Sequence, residues 1–168
     1  MTLRHGTKQP LCATAARSTL ASESSHRFRS THILSSLKPG LTGTAEIIVG
    51  TSDTAPRVGS GAIKVMATPV MINLMEAAAL DCAERHLEPG QQSLGTHLNV
   101  SHVAATPTGM WVVATATLRE IDGRTLHFDV TAEDEEGLIG EGTHSRVVVN
   151  AERFEQRNRE KAERARKR

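Results

Sequence analysis

Residues 68–86 read TPVMINLMEAAALDCAERH, and the rest of the chain is organised around them. Pro69 suits the first turn of a helix, where its missing N–H leaves nothing unpaired. Pro89 and Gly90 supply the stop. Thr68 is placed to cap the first turn, its hydroxyl accepting from a free backbone N–H. Between these signals Val70, Met71, Ile72, Leu74, Met75 and the run Ala77–Leu80 leave almost no polar face, the pattern of a buried helix. Asn73 and Glu76 break it. They stand three apart and share one side. A carboxylate in such a helix must be paired, protonated or used.

Beyond the helix the hydrophobic period changes from helical to two. Thr44–Val49 reads as a short strand, and residues 50–61, GTSDTAPRVGSG, as a flexible loop. Residues 93–104 alternate, with Leu94, Thr96, Leu98, Val100 and His102 assigned to one face. Met110–Arg119 follows, with Val112, Ala114, Ala116 and Leu118 on one side. Asp122-Gly123 is a hairpin signal, answered by Thr125–Ala132. Ile139–Val149 closes the set. One strand, a helix and four strands joined mainly by hairpins predict an α+β domain with an antiparallel sheet packed on the helix.

Three polar residues stand where apolar ones belong: Thr68, Glu76 and His102. A hydroxyl, a carboxylate and an imidazole facing one helix are groups suited to acyl hydrolysis, one deprotonating a nucleophile and another relaying the proton. Helix N-terminal amides or the Gly95 amide are candidates to hold an oxyanion. Arg146 shares a face with His144 and Val148 and is a candidate partner for a carboxylate or an anionic ligand. Each also has a plainer reading: Thr68 as a helix cap, His102 as an exposed strand end. His97 and His102, five apart on a strand, point to opposite faces and make a poor metal pair. No metal or cofactor motif is present.

Composition narrows the class. The 168 residues hold three Phe, one Trp and no Tyr, so the core is aliphatic and Met-rich. Cys12 and Cys82 are far apart and suggest no disulfide framework. Charge is uneven: residues 1–31 carry five Lys/Arg against Glu23 alone, 32–150 carry seven against fourteen Asp/Glu, and 151–168 carry eight against four. An acidic middle argues against nucleic acid as a partner, and no apolar run reaches membrane-spanning length. The reading is therefore a disordered or targeting extension at 1–31, a domain at 32–150 and a charged tail at 151–168. Cytoplasmic location is expected, or the mitochondrial matrix if residues 1–31 are a transit peptide.

The stretches MINLMEAAAL, LEPGQQSLGTHLNVSHVAATPTG and GEGTHSRVVV resemble the hotdog-fold acyl-CoA thioesterases of the fluoroacetyl-CoA type, over about residues 37–154. The resemblance implies a sheet wrapped around a long central helix, and a homodimer or dimer of dimers. It places the family's catalytic residues on Thr68, Glu76 and His102, its thioester-side glycine on Gly95 and its active-site arginine on Arg146. It implies hydrolysis of acyl-CoA to a carboxylate and free CoA, with no cofactor. The nucleophile stays open between Thr68 and a water. The CoA phosphates call for cations, with Arg57, Lys64 and the basic tail as candidates. The family's aromatic gate before the helix is missing: Gly59 and Ala62 stand in its places, so an acyl group other than fluoroacetyl is expected. A non-catalytic acyl-CoA-binding dimer and a hotdog dehydratase or hydratase are the competing expectations.

Overall fold

The computed structural model describes residues 36–167. The extension read at 1–31 lies outside them. In chain order the elements are strand β1 (Thr42–Ile48), a 3-10 turn (Thr51–Asp53), the short helix α1 (Ala55–Val58), the long helix α2 (Thr68–Glu84), strands β2 (Gln91–His102), β3 (Trp111–Asp122), β4 (Thr125–Asp134) and β5 (Gly137–Asn150), and helix α3 (Ala151–Arg166). All pairings are antiparallel, in the order β1-β3-β4-β5-β2. This is the hotdog arrangement, an α+β fold with α2 laid against one face of the sheet.

The inner face of the sheet is the alternating set expected from sequence. Val112, Ala114, Ala116 and Leu118 of β3 and Leu126, Phe128, Val130 and Ala132 of β4 are buried. They meet Met71, Met75, Ala78, Ala79 and Cys82 of α2. Burying a side chain such as Leu118 or Phe128 contributes about 1.5–3 kcal/mol. The alanines keep helix and sheet close. At Gly43 of β1 the approach is closest: a Cβ there would overlap the backbone N of Cys82 and the carbonyl O of Ala78. The scarcity of aromatics in the chain suits this tight contact.

Four sequence expectations are corrected. The stretch after β1 is not a flexible loop but two short helical turns, pinned by bridges Thr54–Met66 and Val65–Pro107. Two of the three connections among the late strands are hairpins, as expected, but the one leaving β2 is not. β2 pairs with β5, not with β3, and the chain crosses the sheet between β2 and β3. The Gly123 hairpin is as read, with φ +57° at Gly123. In β2 the register slips between Gly95 and His97. Thr96 is the extra residue of a β-bulge, and a bulge reverses the alternation. Ser93 and Gly95 face inward before it, Leu98, Val100 and His102 after it. Leu94 and Thr96 therefore do not share the face of Leu98.

The fourth correction concerns α2, which is not covered all round. Met71, Leu74, Met75, Ala78, Ala79, Cys82 and Ala83 are buried. Asn73 is exposed, Glu76 and Ala77 are half-buried, and Leu80 is 41% exposed. One apolar side of the helix is left open beside β2, which is an edge of the sheet. The charged tail is a regular helix. Asn150 caps α3 through its side-chain oxygen, which accepts from the Arg153 N–H at 2.9 Å.

Candidate active site

Two clusters of polar side chains lie along α2, two turns apart. The first is at its N-terminus. Thr68 was expected to cap the helix, but Ala67 is the N-cap residue and no side chain caps this end. Thr68 occupies the first helical position, and its exposed hydroxyl lies 2.9 Å from His102 Nδ1. The hydroxyl is thus free of backbone duty. His102 reaches it because the bulge at Thr96 turns the end of β2 inward. Its other nitrogen, Nε2, is buried and has no hydrogen-bond partner among the described residues. A hydroxyl donating to Nδ1 requires the proton on Nε2. The pair opens on a pocket of about 300 Å³ lined by Ala55, Ser60, Val65, Met66 and Val103–Ala105. Among the described residues no Phe, Tyr or Trp lines it.

The second cluster surrounds Glu76. Its carboxylate is 37% exposed and lines a recess of about 250 Å³ with Asn73, Leu80, Gly95 and Arg146. Gly95 makes this possible: a Cβ there would overlap Glu76 Oε1 and come within 3.1 Å of His144 Cε1. Arg146 is 6% exposed. Its Nε donates to Ser93 Oγ at 2.9 Å and its Nη2 to the Ser93 carbonyl at 2.9 Å. Ser93 is held in turn by Glu84 Oε1, which accepts from the Ser93 N–H at 2.7 Å and the hydroxyl at 2.9 Å. Burial draws the Arg146 guanidinium below its ordinary value, while the nearby carboxylates of Glu76 and Glu84 oppose that. Arg146 is therefore anchored within the protein as well as bordering the recess.

Sequence reasoning grouped Thr68, Glu76 and His102 as one catalytic set, with Gly95 and Arg146 as binding residues; the structure brings Thr68 to His102, and Glu76 to Gly95 and Arg146. Sequence reasoning did not find Ser93, Glu84 or His144. His144 is 1% exposed, and its Nε2 lies 3.9 Å from Glu76 Oε1. The available signal was an inward-facing imidazole two residues before an inward-facing arginine on one strand. Within one chain the two clusters do not meet. Eight helical residues, about 12 Å of rise, separate Thr68 from Glu76. Among the described residues no group of three or more His, Cys, Asp or Glu is arranged to hold a metal ion. No described helix is long and apolar enough to cross a membrane.

Known proteins share this fold. The sequence model of the family described as fluoroacetyl-CoA-specific thioesterase matches residues 49–152. The fluoroacetyl-CoA thioesterase of Streptantibioticus cattleyicolor is 46% identical over 98 residues, 58% of this chain and 70% of the relative. A solved structure of the fluoroacetyl-CoA thioesterase FlK has a TM-score of 0.71 at 37% identity, covering 74% of this chain and 97% of that one. A thioesterase superfamily member from Thermus thermophilus has a TM-score of 0.73 at 26% identity, over 78% and 97%. The first two of these relatives are fluoroacetyl-CoA thioesterases. The chain belongs to the fluoroacetyl-CoA thioesterase family of hotdog-fold proteins and is an acyl-CoA thioesterase.

Proposed function

We propose that this enzyme hydrolyses acyl-CoA thioesters whose acyl group is not fluoroacetyl, and that it does so as a homodimer with Thr68, Glu76 and His102 as catalytic residues. The observation that carries the reading is the Thr68–His102 contact of 2.9 Å at the mouth of a pocket without aromatic walls. Gly59 and Ala62 stand where the resemblance places a gate. A pocket walled by Ala55, Ser60 and Met66 offers no ring to select a small fluorinated group.

The dimer follows from what one chain leaves uncovered. β2 is a sheet edge with unpaired backbone groups. Beside it the Asn73, Glu76, Ala77 and Leu80 side of α2 is open. Two-fold pairing of β2 with its copy satisfies the edge and covers that side. It also brings the Thr68–His102 pair of one chain toward the Glu76 recess of the other, so that the three groups serve one thioester.

In that site His102 Nδ1 takes a proton from the nucleophile, which is Thr68 or a water held by Glu76. The nucleophile adds to the thioester carbonyl, and the oxyanion is met by the Gly95 amide. The carbon–sulfur bond then breaks, and the CoA thiolate takes the proton from His102. If Thr68 has been acylated, Glu76 takes a proton from a water that adds to the ester carbonyl; the bond from the acyl carbon to Thr68 Oγ breaks, and Thr68 Oγ takes that proton back as the carboxylate leaves. Arg57 and Lys64, both exposed and close in sequence to the pocket walls, are the cations nearest to hand for the CoA phosphates.

The test is free-thiol release from a panel of acyl-CoAs, acetyl to long-chain and fluoroacetyl included. Release that falls by about 10²–10⁴-fold in Glu76→Gln is the expected result. Absence of release across the panel overturns the hydrolytic reading. A strong preference for fluoroacetyl-CoA over acetyl-CoA overturns the acyl assignment.

A further inference from the structure

We propose that His144 is the positioning residue of the Glu76 recess: through the lone pair on Nε2 it fixes the Arg146 guanidinium beside the Glu76 carboxylate. The proposal rests on the reading of Glu76 given above and adds a residue that neither the sequence resemblance nor that mechanism assigns.

The hydrogen bonds dictate one tautomer. His144 Nδ1 lies 2.9 Å from the carbonyl oxygen of His97. A carbonyl only accepts, so Nδ1 carries the proton. Nε2 lies 3.3 Å from Arg146 Nη1. A guanidinium only donates, so Nε2 presents its lone pair. His144 is thus donor at one end and acceptor at the other. Its ring is held further by stacking on Phe128, with centroids 6.3 Å apart.

The consequence falls on Arg146. Of its five N–H groups, three are taken: two by Ser93 and one by His144. The two that remain are one each on Nη1 and Nη2, on a guanidinium that borders the same recess as Glu76. Ser93 anchors one side of the fork, and only His144 anchors Nη1. His144 does not hydrogen-bond Glu76, since 3.9 Å is too long. It acts on the carboxylate through Arg146 and as a wall opposite Gly95.

Charge on the ring would destroy the arrangement, because an Nε2–H would face the Arg146 Nη1–H. Around the ring stand Glu76 from α2, the His97 carbonyl and ring from β2, Phe128 from β4 and Arg146 from its own strand. Burial first, and Arg146 after it, hold the His144 pKa below the usual histidine value against the opposing His97 carbonyl and Glu76.

Two substitutions separate positioning from mere packing. The amide oxygen of His144→Gln reaches the place of Nε2 and accepts from Arg146, but loses the bond to His97. The amide N–H of His144→Asn keeps that bond and loses the acceptor. With both variants folded by circular dichroism, Gln is expected to retain kcat within about 10-fold, and Asn to lose about 10²-fold in kcat with little change in KM. Equal losses, or Asn the better enzyme, overturn the proposal. An independent readout is the ¹⁵N spectrum of the His144 imidazole in the wild-type protein. It should show Nδ1 protonated and Nε2 bare at neutral pH, with the Nε2 resonance moving in Arg146→Met. A protonated Nε2 overturns the proposal whatever the hydrolysis assay gives. A chain with the expected spectrum that cleaves no thioester would refute the functional reading instead.

Discussion

The two clusters along α2 are built on opposite plans. At the helix start, Thr68 is exposed, is excused from capping, and has His102 as its side-chain partner; His102 Nε2 has none. Two turns on, Arg146 is buried, three of its N–H groups are occupied, and its partner Ser93 is itself held twice by Glu84. The groups proposed to take and give protons are left loosely partnered. Groups that hold them in place are over-determined. Glu76 stands between the plans: half-open to the recess, yet walled by Gly95 and His144. An under-satisfied polar atom costs stability, and the one buried side-chain atom without a partner among the described residues, His102 Nε2, lies at the Thr68 end.

The same small change made at the recess and in the core should give different losses. Gly95→Ala places a methyl onto Glu76 Oε1, the far end of a flexible side chain. The carboxylate moves and the fold stays. Thiol release should drop by about 10²-fold, with a melting temperature close to wild type. Unchanged release would show that the carboxylate position is not decisive.

Gly43→Ala inverts that outcome. Its methyl meets the backbone of Cys82 and Ala78 in the middle of α2, which cannot rotate away. A stability loss of about 3 kcal/mol is expected, read as a shifted urea midpoint, with the remaining folded protein still hydrolysing. An unshifted midpoint would mean that β1 and α2 are not packed as closely as described.

A smaller effect follows from pH. His144 is held below its ordinary pKa in the folded chain, mainly by burial. The unfolded chain then binds a proton that the folded chain refuses. The His144 contribution is present above the ordinary histidine value, about 6.5, and is lost as pH falls from there toward the folded pKa. The loss is at most about 1.4 kcal/mol for each pH unit. Melting curves between pH 7 and pH 5 should show the wild type losing more stability than His144→Gln. Parallel losses would place His144 outside the buried network.

Much of this was legible in the sequence, for physical reasons that can be named. The apolar run from Val70 to Leu80 between Pro69 and Gly90 announces α2. The alternations at Val112–Leu118 and Leu126–Ala132 announce inner faces, and Asp122-Gly123 announces the hairpin. What escaped was decided by tertiary structure. Turns of three and four residues at Thr51–Val58 are too short to show a period. The pairing of β2 with β5 depends on how the chain crosses the sheet, which local pattern does not record. The bulge at Thr96 adds one residue and silently moves Leu94 to the other face. At the site, Thr68, Glu76 and His102 were visible as polar residues among apolar ones. Thr68 was read both as a cap and as a group of the site, because a threonine before a proline at a helix start is equally good as a cap; the structure overturns the cap reading. Ser93, Glu84 and His144 look ordinary in sequence. Their meaning comes from converging on Arg146.

The most direct test of the account is complementation between two inactive chains. Thr68→Ala and Glu76→Gln chains, co-expressed in equal amounts and purified together, should recover up to about a quarter of wild-type thiol release, since half the dimers are mixed and half the sites in those are whole. Each variant alone should release almost none. No recovery in the mixture, with mixed dimers demonstrably present, would contradict a site shared between the Thr68–His102 pair of one chain and the Glu76 recess of the other.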